Sequence, residues 1–204
     1  PGEVQRASSA FGQAMAITPL QMCTAIAATV NGGYLVTPHV VDKITDANGN
    51  VIQEIGANVR RQVISQSASE VIRQMMEYEV GNGTGGGKNA YVSGYRIGGK
   101  TGTAETIPRK NGEYVVSFMG YAPADDPQIA IYVVVDRANA SPQDDAKFAT
   151  GIVRNVLTEV LPYLNIFMTE ELSEKEIQEL AEKQIEITNQ YTQKPEDGDT
   201  QNNG

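Results

Sequence analysis

Tryptophan is absent from these 204 residues, and cysteine and histidine occur once each, as Cys23 and His39. A single cysteine excludes an intrachain disulfide framework and any cysteine-rich zinc module. A single histidine excludes paired-histidine motifs such as H-E-x-x-H, so neither a metal nor a cofactor is expected. Long hydrophobic runs are missing too. The longest, residues 129–135, is far too short to span a bilayer. Basic residues are outnumbered, 16 Lys and Arg against 25 Asp and Glu, for a net charge of −9. That balance lacks the basic footprint of a nucleic-acid binder, and no nucleic-acid partner is expected. No secretion signal is visible and the chain opens on Pro1-Gly2 rather than Met, which suggests a portion of a longer protein.

The acidity is unevenly spread. From Thr169 onward there are 10 acidic and 3 basic residues, a net of −7, against 15 acidic and 13 basic before it, a net of −2. The chain therefore divides into a nearly neutral body (1–168), a charged helical extension (169–187) and a polar tail (188–204) too poor in apolar residues to fold.

Within the body, Thr18-Pro19-Leu20-Gln21 reads as a capping box with proline at the first helical position, and Ile17 and Met22 are spaced for a hydrophobic staple. Leu20, Cys23, Ile26, Ala27 and Val30 recur at helical spacing, and the many small residues predict a helix buried on both sides. Residues 34–44 and 51–55 read as a hairpin turned by Asn48-Gly49. Ser67-Ala68-Ser69-Glu70 reads as a second capping box, opening a helix that carries Val71, Ile72, Met75 and Val80. Three strand-like runs, 95–106, 114–122 and 129–136, are joined by short connectors, which predicts an antiparallel meander with the continuously apolar third run central. Ser141-Pro142 reads as the start of the last large helix, with an apolar stripe from Phe148 to Leu161 laid on the sheet. The fold class is α+β.

Three features compete for the chemistry. Residues 81–88 invite a phosphate-loop reading, but Gly87 stands where the lysine of G-x-x-x-x-G-K-[ST] must be, and the run follows a helix instead of a strand. It reads as a flexible loop. His39 has no G-x-S-x-G serine to activate, and Cys23 has no flanking cation to lower its pKa, so both read as structural. The third feature is Gly98-Gly99-Lys100-Thr101-Gly102-Thr103. Its glycines leave the backbone open to close approach, Lys100 adds positive charge, Thr101 and Thr103 add donors, and free edge amides can pair with a peptide. Such a strand suits an anionic, peptide-like substrate.

Here the sequence resembles a known family. K-T-G is the third signature of the penicillin-interacting serine enzymes, after S-x-x-K and S-D-N or its variants. Phe11-Gly12-Gln13, Ile17-Thr18-Pro19-Leu20-Gln21 and Asn31-Gly32-Gly33 are similar to a succession found in class B penicillin-binding proteins. Gly83-Thr84-Gly85, then Gly94-Tyr95-Arg96-Ile97-Gly98-Gly99-Lys100-Thr101-Gly102-Thr103-Ala104-Glu105, then Ser117-Phe118-Met119-Gly120-Tyr121-Ala122-Pro123 continue it in order. The resemblance spans Ser9 to Leu164, and the tail is similar to the sporulation-type branch.

The resemblance implies a D,D-transpeptidase domain at the extracytoplasmic face of the bacterial membrane. Its implied partners are peptidoglycan stem peptides, β-lactams and the cell-division or sporulation wall machinery. It implies a five-stranded antiparallel sheet with helices on both faces. Lys100 would be catalytic, through positive potential and a hydrogen bond to the reacting network. Thr101 and Gly102 would bind substrate, with Thr101 on its carboxylate, and the Thr103 amide would form half of the oxyanion hole. Neither S-x-x-K nor S-x-N occurs anywhere in the chain. The nucleophile, its helix and the first strands are therefore expected upstream of Pro1, leaving one edge of the 129–136 strand unpaired and the chain inactive alone. A β-lactam-sensing or non-catalytic penicillin-binding module is the alternative, because sensors keep S-x-x-K too.

Overall fold

The computed structural model describes residues 2–10, 16–81 and 86–183. Phe11-Gly12-Gln13, Gly83-Thr84-Gly85 and residues 184–204, which include the polar tail, lie outside the described residues. After a short helix α1 (Glu3–Ala10), α2 runs over Pro19–Val30. Its start is the capping box read from sequence: the Gln21 amide donates to Thr18 Oγ1 (3.2 Å) and the Thr18 amide to Gln21 Oε1 (2.9 Å). The helix buries Ile26, Ala28 and Val30, but Leu20 is 61% exposed. The expected burial on both sides therefore fails at the start of the helix, while Cys23 further along packs toward β7.

The three-stranded sheet is the antiparallel meander β5 (Gly98–Glu105), β6 (Tyr114–Ala122) and β7 (Ile129–Asp136), in the order β5-β6-β7. Among the described strands β6, not β7, is central, which corrects the expectation for residues 129–135. The reason lies in how β7 is covered. Helix α4 (Lys147–Tyr163) packs on one face of the sheet and α2 on the other, so β7 is apolar at both parities while one of its edges stays unpaired. On β6, Phe118 and Ala122 meet Ala149, Val153, Leu157 and Leu161 of α4, while Tyr121 turns to Val30 of α2. The α4 stripe is thus narrower than predicted, and Ile152 and Val156 face solvent.

Three further expectations are corrected. Helix α3 (Gln66–Gly81) starts one residue before Ser67: the Ala68 amide donates to Ser65 Oγ, so Ser65 caps the helix. Ser69 is buried and tied to α2, donating to the Thr29 carbonyl (2.6 Å) and accepting from the Gly32 amide. Ser141-Pro142 lies ahead of α4 in irregular chain, where the Lys147 amide donates to Asp145 Oδ1 (2.9 Å). The hairpin is shorter than predicted. Only β2 (Lys43–Thr45) pairs with β3 (Val51–Glu54), around a turn held by Asp46 and by Gly49 at φ +87°. β1 (Tyr34–Thr37) pairs instead with β4 (Asn58–Gln62).

Helix α5 (Glu174–Glu182) returns to the body. Leu180 enters the core beside Met168, Arg154 reaches Glu179 (3.9 Å), and the Tyr91 hydroxyl donates to Glu176 Oε1 (3.1 Å). Burial, then Glu176, pushes the Tyr91 phenol up to about 12. Hydrogen bonds from the Ser173 hydroxyl (2.6 Å) and amide (2.9 Å), partly offset by burial, hold the Glu176 carboxyl below its ordinary value. A depressed carboxylate stabilises the fold above its unfolded pKa of roughly 4.3, and that contribution is lost as pH falls through the folded value. On acidification below about pH 4 the protection of the α5 amides, taken relative to the intrinsic exchange rate at each pH, should therefore fall, with that of β6 unchanged. An equal fall in protection in both elements would contradict this.

Candidate active site

β5 brings the sequence-predicted residues together in a particular way. Register pairs Lys100 with Met119, Thr101 with Phe118, Gly102 with Ser117 and Thr103 with Val116. Alternation sends the Lys100 side chain to the α2–α3 face and the Thr101 side chain to the α4 face. The two meet again at the strand's outer edge, which no described strand pairs. The Lys100 stem bends so that Nζ donates to Thr101 Oγ1 (3.3 Å) and to the Thr101 carbonyl (3.2 Å). The ammonium is half-exposed and lies 3.7 Å from Glu79 Oε1. Gly102 is half-buried and Thr103 exposed, two residues further along the open edge.

The glycines have a different role from the one expected. A Cβ on Gly98 would lie 2.3 Å from the Tyr121 ring, and one on Gly99 would lie 2.1 Å from Phe118 Cζ. The space above both residues is filled by the protein's own aromatic side chains and not by a ligand. At Gly102 the limit is Ser117 Oγ, which would stand 2.7 Å from a Cβ. On the α4 side, Thr101 Cγ2 lies against Gly86, at the start of the 3₁₀ turn Gly86–Ala90. The end of the glycine-rich run, expected to be flexible, is thus a short helical turn against the site, with Gly87 and Ala90 buried.

Helix α3 is held beside β5 by a fork. Arg96, just before the strand, donates to both carboxylate oxygens of Glu77 (2.5 and 2.9 Å) and lies 3.9 Å from Asp125. These carboxylates push the guanidinium pKa up against the opposing effect of burial, so the charge is secure. Tyr121 adds a bond from its hydroxyl to the Arg73 carbonyl (2.7 Å). With α3 so placed, Glu79 reaches Lys100. Sequence reading missed Glu79, since the contact depends on how the helix leans. Ile26, Ile72, Met75, Met76 and Met119 line an apolar groove of about 320 Å³ with Lys100 and Glu79 at its rim.

The other candidates lie elsewhere. His39 is exposed, with Nδ1 on the Val41 carbonyl (3.0 Å). Cys23 is half-buried on α2, donates weakly to the Ala130 carbonyl (3.7 Å), and burial pushes its thiol pKa up. Among the described residues no three His, Cys, Asp or Glu side chains gather as a metal ion would require, and no helix is long and apolar enough to cross a membrane.

The site is thus an open strand edge on which a lysine and a threonine converge, in an antiparallel sheet with helices on both faces. Residues 1–158 match the family model of the penicillin binding protein transpeptidase domain, and the chain belongs to that family. It is 40% identical over 194 residues to Stage V sporulation protein D of Bacillus subtilis, covering 92% of this chain and 29% of that protein. It is 34% identical over 150 residues to penicillin-binding protein PbpB of Mycolicibacterium smegmatis, covering 67% of this chain and 23% of that one. Among solved structures, the transpeptidase domain of Burkholderia pseudomallei penicillin-binding protein 3 superposes with a TM-score of 0.69 at 26% identity, covering 84% of this chain and 50% of that one. These curated relatives are therefore more than three times as long as the part this chain matches.

Proposed function

We propose that this chain supplies the substrate-binding strand of a serine D,D-transpeptidase that cross-links peptidoglycan stem peptides and is acylated by β-lactams. The observation that carries the reading is the convergence of Lys100 Nζ and Thr101 Oγ1 on the open edge of β5. A stem peptide laid along that edge would extend the sheet by one strand, with Thr101 meeting its terminal carboxylate and Lys100 adding positive potential and a hydrogen bond to the reacting network. The Thr103 amide would donate to the oxyanion that forms when the peptide carbonyl is attacked. Gly102 keeps side-chain bulk off the strand between them. The attacking serine, the lysine that takes its proton and the second-motif residues would come from sequence outside these 204 residues, which contain no S-x-x-K. That further portion would also cover the exposed start of α2 and the free edge of β7.

In this reading residues 1–168 form the C-terminal portion of the transpeptidase domain, 169–187 a helical extension and 188–204 a tail. The whole protein would act at the extracytoplasmic face of the membrane, within sporulation or division wall synthesis. Fluorescent-penicillin labelling tests the reading. The intact protein should take up one covalent label, displaced by prior treatment with a second β-lactam. An intact protein that takes up none would contradict it.

A further inference from the structure

The ribbon of β1 and β4 lies apart from the β5 edge and differs from the rest of the molecule in charge. Its strands read Tyr-Leu-Val-Thr and Asn-Val-Arg-Arg-Gln, so in a chain of net charge −9 this ribbon carries two positive charges and no carboxylate. In a regular strand the adjacent Arg60 and Arg61 would point to opposite faces. Here the register slips: Leu35 faces Arg61 but Val36 faces Val59, so Arg60 has no partner across the ribbon. A bulge of this kind breaks the regular alternation of the two side chains. Together with Leu35 they line a single concavity of about 240 Å³.

Three other arginines of the body are ion-paired. Arg96 is held by Glu77, Arg137 by Asp136, and Arg154 reaches Glu179. Among the described residues Arg60 and Arg61 have no ion-pair partner. Two rigid forks converging on one hollow present more donors and more charge than a lone carboxylate can use, since a carboxylate has two oxygens and one charge. A phosphate group, with three or four oxygens and up to two charges, matches the pair.

We infer that Arg60 and Arg61, side by side at the β-bulge, form a binding site for a phosphate group. The group could belong to a lipid headgroup or to a soluble phosphate ester. The test follows the Arg Nε–H resonances by NMR while inorganic phosphate is added to the native chain at constant ionic strength. The Arg60 and Arg61 signals should move together and saturate, while that of exposed Arg109 drifts only slightly. Arg60→Gln and Arg61→Gln, both on exposed side chains, should each weaken the affinity about tenfold, with Arg61→Lys retaining part of it.

Sedimentation with phosphatidylglycerol vesicles, against phosphatidylcholine vesicles, distinguishes the sources. Phosphate-competable retention on phosphatidylglycerol supports the site with a headgroup as ligand. Saturable phosphate binding without retention supports it with a soluble ester. The inference is overturned if Arg60 and Arg61 respond no more than Arg109. Acetate binding as tightly as phosphate would overturn it too.

Discussion

Lys100→Ala in the intact protein is expected to slow β-lactam acylation by about two to three orders of magnitude, the scale on which loss of one preorganised charge-stabilising group acts. The ammonium lies at the open β5 edge, 3.3 Å from Thr101 Oγ1 and only half-exposed. A substrate lying on that edge would exclude water, and the same charge would act more strongly on the developing oxyanion. Stability should hardly change. Outside the site, Lys100 has one ion pair, 3.7 Å from Glu79, and an exposed pair of this kind contributes about 0–1 kcal/mol. A slow acylation rate with an unshifted melting temperature is therefore the expected pair of results. Glu79→Gln should leave acylation within a few-fold of the parent. A Lys100→Ala variant that acylates at the parental rate would remove Lys100 from the mechanism.

Gly99→Val is expected to abolish cooperative folding. The new Cβ would fall 2.1 Å from Phe118 Cζ and 2.7 Å from the Met119 carbonyl oxygen. Phe118 is completely buried between β6 and α4, and Met119 is held in register opposite Lys100, so neither can retreat. Overpacking a tight core typically costs about 1–3 kcal/mol, and a clash with backbone costs more. Whole domains are stable by only about 5–15 kcal/mol. Thermal or urea unfolding followed by circular dichroism checks this, with Gly56→Ala as comparison, since nothing lies within 4 Å of a Cβ there. Combining Gly99→Val with Phe118→Ala should cost less than the two changes summed, because one creates the space the other fills. Strict additivity would mean that the clash is not the cause.

The parts of the fold legible in the sequence are those fixed by neighbours. The Thr18 capping box needs two groups three residues apart, and the β5-β6-β7 meander needs only short connectors. The β1–β4 pairing is not legible. It joins Tyr34 to Gln62 across a long intervening segment, and a more local hairpin partner competes for each half of the pattern. Ser67-Ala68-Ser69-Glu70 resembles a cap because a capping box is a local pattern. The cap is instead Ser65, whose Oγ accepts from the Ala68 amide, while Ser69 is tied to α2, a tertiary contact that the pattern does not encode.

The site shows the same division. Lys100, Thr101, Gly102 and Thr103 stand out because they are consecutive and share a strand. The approach of Glu79 depends instead on the placement of α3, beside which Arg96 forks onto Glu77. In the sequence the glycines suggest room for a ligand, since a sequence shows the missing side chain and not what fills its place. Only the packed structure shows Tyr121 and Phe118 lying over Gly98 and Gly99.

If this chain holds the substrate strand of a transpeptidase and the nucleophile lies outside its 204 residues, fluorescent penicillin should tell the chain from the intact protein. The two are labelled side by side and read after denaturation. A covalent label is expected on the intact protein and none on the purified chain. A stable adduct on the chain alone would place a working nucleophile within it and refute that division.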